Sequence, residues 1–199
     1  MQNNNPILHV TPNTLSLSLP KNANHSTHHL QLLTLETISD LLTDICEENT
    51  GDRDTNTPNL IKPFLSKSIP AISIKNFFER IVKYTKIENS TLILVLVYID
   101  RLCDKQKFRL NYFNIHKIII SAMIIAIKYN EDEYYDQNFY SKVGGITIKE
   151  LQKLEHAILT LLNFDLFVNE TLFNKYYNYI QSVITTHDNE DVLYNDTKA

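Results

Sequence analysis

The sequence predicts an all-α protein in which five consecutive helices form one domain, with one added helix before it and a short helix after it. From residue 72 onward, apolar residues recur three and four positions apart, which is the period of a helix, and the polar breaks are short. The run 92–99 resembles a buried strand, but the segment around it exceeds normal strand length. A chain of 199 residues has room for one such domain plus extensions.

Capping and breaking residues set the limits of the five central helices. Ser73 and Asn114 are candidate N-caps. Thr147, followed three residues later by Glu150, forms a capping box. The glycine pair at 144–145 can take the positive φ values that end a helix. The five helices are therefore predicted at residues 73–86, 88–104, 114–130, 133–143 and 147–162.

The segments on either side of these helices differ in composition. The first residues are rich in Asn, Ser, Thr, Pro and His without an apolar face, which is typical of disorder. An amphipathic helix follows, then a polar linker, and Asn169 is placed to cap a last helix that ends near residue 180. The predicted organisation is a disordered tail at 1–29, a helix at 30–47, a linker at 48–63, the domain at 64–182 and a polar tail at 183–199.

The composition argues against several classes of protein. A net charge of −4 gives no general attraction for nucleic acid or an anionic membrane. The longest uncharged apolar runs, 92–99 and 118–127, are about half as long as a membrane-spanning helix. Cys46 and Cys103 lack CxxC spacing and favour buried, reduced thiols. With no secretory signal evident, we expect an intracellular protein of the cytoplasm or nucleus that contacts neither nucleic acid nor membrane.

No set of residues suggests catalysis, a metal or a cofactor. Three glycines are too few for a P-loop or a dinucleotide fingerprint. His116 and His156 have no nucleophile or paired carboxylate at a useful spacing. The acidic residues at 131–136 lack EF-hand spacing, and the histidines at 25–29 lack other ligand types. We therefore predict no catalytic residues, no metal site and no cofactor, and a protein that is not an enzyme.

The most informative residue is Lys128, which follows ten uncharged residues at 118–127. The apolar side chains of this run cover every side of a helix, so other helices should enclose it. Lys128 then lies at the rim of the core. It can either extend its stem along apolar surface to reach water or contact a partner, and the spacing leaves both interpretations open.

A carboxylate in the fifth central helix matches this lysine. Glu155 projects at the margin of a leucine and isoleucine stripe, where an unpaired carboxylate is costly to desolvate, and Lys128 is the obvious partner. In one interpretation the two make a surface ion pair worth about 0–1 kcal/mol. In the other they form a polar grip for a helix of another protein, fringed by Ile125, Tyr129 and Leu159.

Arg80 and Asp100 pose a similar question in the first two central helices. Each lies in an otherwise apolar stretch, and a buried carboxylate needs a cation. We expect the two to form an ion pair across these helices. Its role would be structural rather than catalytic, because an arginine stays protonated and cannot act as a base near neutral pH.

Four ordered motifs resemble a cyclin box, and they cover roughly residues 60–180. The FYSKVGG stretch is similar to the group that includes the yeast phosphate-pathway cyclin and the plant P-type, or U-type, cyclins. About twenty residues follow, too few for a second five-helix box, so the resemblance implies a single cyclin box. The motifs are YIDRL (98–102), IIAIKYNED (124–132), FYSKVGGI (139–146) and LEHAILTLLNFDL (154–166).

The resemblance implies a regulatory subunit that binds and activates a cyclin-dependent kinase and has no catalysis of its own. Lys128 and Glu155 fall on the two family residues that grip the αC helix of the kinase. Arg80 and Asp100 fall on a buried ion pair of the family. The apolar positions that receive αC fall on Ile125, Tyr129, Leu159, Phe164 and Leu166.

A second interpretation is a cyclin-fold adaptor that contacts nucleic acid or the transcription machinery. It predicts a basic surface and salt-dependent DNA binding. The acidic balance of the chain and the absence of a Lys/Arg stripe disfavour it.

Overall fold

The computed structural model describes residues 25–49 and 59–196, with side chains at 28–49 and 59–186. The described residues form helices joined by turns and loops and hold no strand, which confirms the predicted all-α class. A short 3₁₀ turn, Lys62–Phe64, precedes the central helices. The helices are α1 His25–Glu48, α2 Ile74–Thr85, α3 Asn89–Gln106, α4 Ile115–Asn130, α5 Gln137–Gly144, α6 Ile148–Leu161 and α7 Glu170–Asp196.

Helix α4 lies at the centre of the domain, as its apolar surface predicts. Every residue from Ile118 to Ile127 is buried, and α2, α3 and α6 pack around the helix. Helix α3 is nearly as enclosed, with residues 91–100 all buried against α1, α4, α6 and α7. These two helices form a rigid core, and the functional side chains lie at its rim.

The helix limits follow local hydrogen bonds, and most of the predicted caps are correct. Ser73 and Thr147 each accept a hydrogen bond from the backbone N–H three residues on. Gly145 has φ +68° and ends α5. Asn114 precedes α4, but its side chain does not cap that helix. Its Oδ1 accepts instead from the N–H of Asn111 at 3.0 Å, which holds the turn before the helix.

Helix α5 begins four residues later than predicted. Asp136 caps it by accepting from the N–H of Phe139 at 2.8 Å. Upstream, the Glu131 carboxylate accepts from the N–H of Glu88 and the hydroxyl of Thr91. This long-range anchor ties the chain to the start of α3, so the residues after Glu131 cannot continue a helix there.

The outer helices are longer than predicted. Helix α1 begins at His25 rather than near residue 30, and α7 continues past residue 180 to Asp196. Once an amphipathic core segment is packed, each further helical residue costs little, so polar extensions stay helical. Asn169 caps α7 as expected, by accepting from the N–H of Leu172 at 2.8 Å. Of the tail predicted to be disordered at 1–29, residues 1–24 lie outside the described residues, as does most of the linker, 50–58.

Both cysteines are buried free thiols, as predicted. Burial raises the pKa of Cys46 to about 12 and that of Cys103 well above its ordinary value, so both thiols are protonated at neutral pH. Across the described ranges, no helix is both long and apolar enough to cross a membrane.

Candidate partner-binding surface

Lys128, in the last turn of α4, contacts Glu155, near the middle of α6. The Nζ atom of Lys128 lies 2.5 Å from Oε1 of Glu155. The two side chains are 29% and 16% exposed, so the pair lies at the rim of the core rather than in free solution. Water screens such a pair less than a fully exposed one, and its geometry is correspondingly better defined.

Gln137, at the start of α5, completes this arrangement, and the sequence analysis missed it. Its Nε2 donates to Oε2 of Glu155 at 2.5 Å, so each carboxylate oxygen has its own donor. Glu155 therefore joins α4, α5 and α6 at one point. The Oε1 atom of Gln137 is buried and has no hydrogen-bond partner in the described part of the chain. The residue stands directly after the cap Asp136, but its spacing to Glu155 carries no recognisable pattern.

The predicted apolar positions around the pair do not all lie on the surface. Tyr129 is 51% exposed and Phe164 is 65% exposed, while Leu159 and Leu166 are half-buried. Ile125 is only 2% exposed. The structure therefore buries Ile125 and leaves the other four apolar side chains at least partly exposed.

The loop between α6 and α7 carries two of these residues, and α3 holds it in place. The Tyr98 hydroxyl donates to the carbonyl of Leu166 at 2.9 Å. The Arg101 guanidinium donates to the carbonyls of Asp165 at 2.5 Å and Phe167 at 3.2 Å. Burial raises the pKa of Tyr98, so its hydroxyl keeps the proton that it donates. The loop is thus fixed both along its backbone and by the partly buried side chains of Leu166 and Val168.

The same loop exposes a second aromatic ring. Asn163 and Phe164 both have φ +56°, a left-handed conformation that is uncommon for residues other than glycine. Phe167 is 69% exposed, even more than Phe164. It was not among the predicted site residues, although an apolar residue three positions after Phe164 is visible in the sequence. Exposed apolar side chains that form a contiguous patch mark interaction sites, whereas single ones are normal.

The contacts described for Arg80 and Asp100 involve other residues. The Tyr176 hydroxyl donates to Oδ2 of buried Asp100, which links α3 to α7. The guanidinium of Arg80 lies over the ring of Phe77, with Cζ 5.0 Å from the ring centroid. The Arg80–Asp100 ion pair therefore stays a prediction. In the described ranges, no group of three or more His, Cys, Asp and Glu side chains is arranged to hold a metal.

Comparison with protein families places these residues in a known context. The family model for cyclins matches residues 16–166. The chain belongs to the cyclin family. The match includes α2 to α6 and ends at Leu166, within the fixed loop.

Individual relatives refine this assignment. Cyclin-U4-1 of Arabidopsis thaliana is 36% identical over 150 residues, 74% of this chain and 74% of the relative. Cyclin-U2-1 of the same plant is 40% identical over 114 residues, which are 57% of this chain and 51% of the relative. PHO85 cyclin-7 of Saccharomyces cerevisiae is 32% identical over 154 residues, which are 71% of this chain and 54% of the relative. The chain spans about half the length of the last two, and the matches support a single-box cyclin of the U, or P, type.

Proposed function

We propose that this cyclin binds a cyclin-dependent kinase and activates it by holding the αC helix of the kinase in its active position. Membership of the cyclin family supports the general role of kinase regulator. The observation that supports the finer mechanism is the Lys128–Glu155 pair, a fixed charge pair at the edge of an accessible apolar surface. No residue of the chain takes part in chemistry in this proposal.

The surface suits a helix as partner. A helix that docks with an apolar stripe needs apolar contacts at its centre and hydrogen bonds for the polar groups at its ends. Tyr129, Leu159 and Phe164 offer the apolar contacts. Lys128 has donor capacity beyond its bond to Glu155, and the Oε1 atom of Gln137 is an acceptor without a partner. Both can bond to the partner.

Activation follows from the chemistry of the kinase. Phosphoryl transfer requires an ion pair between a glutamate of αC and the lysine of strand β3 that contacts ATP. A cyclin that binds only the inward position of αC shifts the kinase toward its active state. Moving the kinase from 1% to 99% active requires a preference of about 5.5 kcal/mol for the inward state.

A direct test uses the kinase to which the name PHO85 cyclin-7 refers, because that cyclin is similar to this chain. The full chain is immobilised and incubated with purified PHO85 kinase, and both the retained kinase and its phosphoryl-transfer activity are measured. We expect retention and activation by the wild type, and loss of both with Lys128→Ala combined with Glu155→Ala.

The chain offers a matched control for this double variant. Lys75 and Glu36 form an ion pair of the same residue types between α2 and α1, away from the proposed surface. Lys75→Ala combined with Glu36→Ala should leave retention unchanged. Equal retention by the Lys128/Glu155 variant and the wild type would show that the proposed grip is wrong, and circular dichroism confirms that each variant is folded.

A further inference from the structure

One face of α3 carries a row of hydrogen-bond donors that reach the loop between α6 and α7. Tyr98, Arg101 and Lys105 are three and four residues apart, so they lie on the same side of the helix. Gln106 follows in the last turn of α3 and bonds to the end of α6. About two turns of α3 are therefore matched to this one loop.

The last two donors, Lys105 and Gln106, complete the end of α6. A helix leaves its final carbonyls without partners inside the helix. The Nε2 atom of Gln106 donates to the carbonyl of Leu161 at 2.8 Å, and Nζ of Lys105 donates to the carbonyl of Leu162 at 3.0 Å. A cation at this end of a helix also interacts favourably with the helix dipole. These two side chains serve the fold.

Arg101 bonds further along the loop, beyond the end of α6. Its guanidinium donates to the carbonyls of Asp165 and Phe167, and Tyr98 donates to the carbonyl between them. Three consecutive loop carbonyls thus each accept a hydrogen bond from α3. The Arg101 side chain is only 14% exposed, and its Nη1 lies 3.4 Å from Oδ1 of Asp165. Its donors are therefore directed at the loop rather than at solvent.

The part of the loop that Arg101 holds carries the two exposed rings. One carbonyl that it binds belongs to Phe167, and the other belongs to the residue directly after Phe164. The rings are 69% and 65% exposed, so burial does not determine where they lie. Phe164 also has the left-handed φ of +56°, which a free loop would tend to leave. The bonds from Arg101 hold the backbone on which both rings stand.

We propose that Arg101 is a positioning residue for kinase binding, which holds Phe164 and Phe167 in the arrangement that the kinase contacts; this inference rests on the proposed function. Binding to a loop that is already ordered avoids the entropic cost of ordering it during association. The planar fork of an arginine can donate to two carbonyls at once in a fixed geometry, which the single ammonium of a lysine does less well. Arg101 acts through the loop and does not itself contact the kinase.

The test is a double-mutant cycle on the immobilised full chain with purified PHO85 kinase. Kinase affinity is measured for the wild type, for Arg101→Met, for Phe164→Ala combined with Phe167→Ala, and for the variant with all three changes. Lys107→Met is the control, because it also removes a cation from the end of α3, where Lys107 pairs with the exposed Asp104. Amide hydrogen exchange of the free chain measures the order of the loop without the kinase.

We expect Arg101→Met to weaken kinase binding at least about fivefold, and Lys107→Met to leave it unchanged. Once both rings are removed, Arg101→Met should have no further effect, since a positioning residue acts only through the groups that it positions. In the free chain, the amides of Phe164 and Asp165 bond to carbonyls of α6 and of the residue after it, at 2.9 and 3.2 Å. These amides should exchange at least about tenfold faster in Arg101→Met.

Equal kinase affinity of Arg101→Met and the wild type, or unchanged exchange of the loop amides, would overturn this inference alone. A further loss of affinity after both rings are removed would do the same, because Arg101 would then act by another route. No binding by the wild type would overturn the proposed function, and this inference with it. Arg101→Lys, which keeps the charge but not the fork, replaces Arg101→Met if thermal unfolding shows that Arg101→Met is not folded.

Discussion

Two sites in this cyclin place a charged side chain at the rim of the same core, and they differ in whether that charge has a described partner of opposite charge. At one, Lys128 and Gln137 each give a donor to one oxygen of Glu155, so the charges are balanced within the chain. At the other, Arg80 rests on Phe77 beside neutral His116 without a described acid. The first arrangement neutralises its charges within the chain, and the second holds a cation against an aromatic ring.

The largest effect is expected at the exposed aromatic rings of the loop after α6. Replacing both Phe164 and Phe167 by Ala should weaken kinase binding by about 2 kcal/mol or more, because large exposed aromatic residues dominate binding energies. The free energy of unfolding should change by less than about 0.5 kcal/mol, since neither ring is buried. Calorimetric titration and urea unfolding measure the two quantities. Unchanged binding would remove this loop from the proposed interface.

The next effect concerns the balanced site. Lys128→Met keeps the apolar stem but leaves the largely buried Glu155 carboxylate with one donor, so we expect a loss of about 1–3 kcal/mol in unfolding free energy. Glu155→Gln made in the Lys128→Met background should recover part of this loss. Urea unfolding of the four proteins gives the coupling energy. A coupling energy near zero would mean that the Lys128–Glu155 pair contributes nothing to stability.

A smaller effect is expected from acidification at His116. Its pKa is lowered in the folded state, so below the ordinary value of 6.5 the unfolded chain takes up a proton more readily than the folded one. Stability therefore falls as the pH drops below about 6.5. His116→Gln, which can still donate to Ile72, should reduce this dependence. Urea unfolding at pH 7 and at pH 5.5 compares the two proteins, and an equal drop in both would contradict the assignment to His116.

The smallest effect is expected from neutralising Arg80. Since the contact described for Arg80 is with the Phe77 ring, Arg80→Met should change the free energy of unfolding by less than about 0.5 kcal/mol. Thermal unfolding of Arg80→Met, Lys128→Met and the wild type under the same conditions compares the two losses of stability directly. A loss as large as that of Lys128→Met would indicate a structural ion pair, as predicted for Arg80 and Asp100.

The sequence was sufficient for the helices and for one charge pair. The periodicity of α4 predicted its enclosure, and the positions of Lys128 and Glu155 at the margin of apolar stripes predicted their contact. In each case a local pattern determines burial, and burial determines which polar groups must meet. The role of the pair in holding a kinase stays a prediction.

Other features depend on contacts between distant segments, which no local pattern records. Gln137 reaches Glu155 across 18 residues, and Glu131 reaches Thr91 across 40, which delays the start of α5. The contacts of Arg80 depend on how α2 meets α4 and α5, so its stacking on Phe77 was not visible in the spacing that suggested Asp100. Side-chain partners across helix interfaces follow from packing geometry, which the sequence encodes only collectively.

The left-handed pair Asn163 and Phe164 makes the cyclin less stable than it needs to be. Left-handed backbone costs about 1–3 kcal/mol for an ordinary residue such as Phe164, and less for Asn. The hydrogen bonds from Tyr98 and Arg101 to the loop carbonyls offset that strain. Phe164→Gly would relieve it and lose the aromatic ring at the same time. Evolution toward a more heat-resistant protein would therefore meet, at this position, a direct conflict between a relaxed chain and an exposed contact.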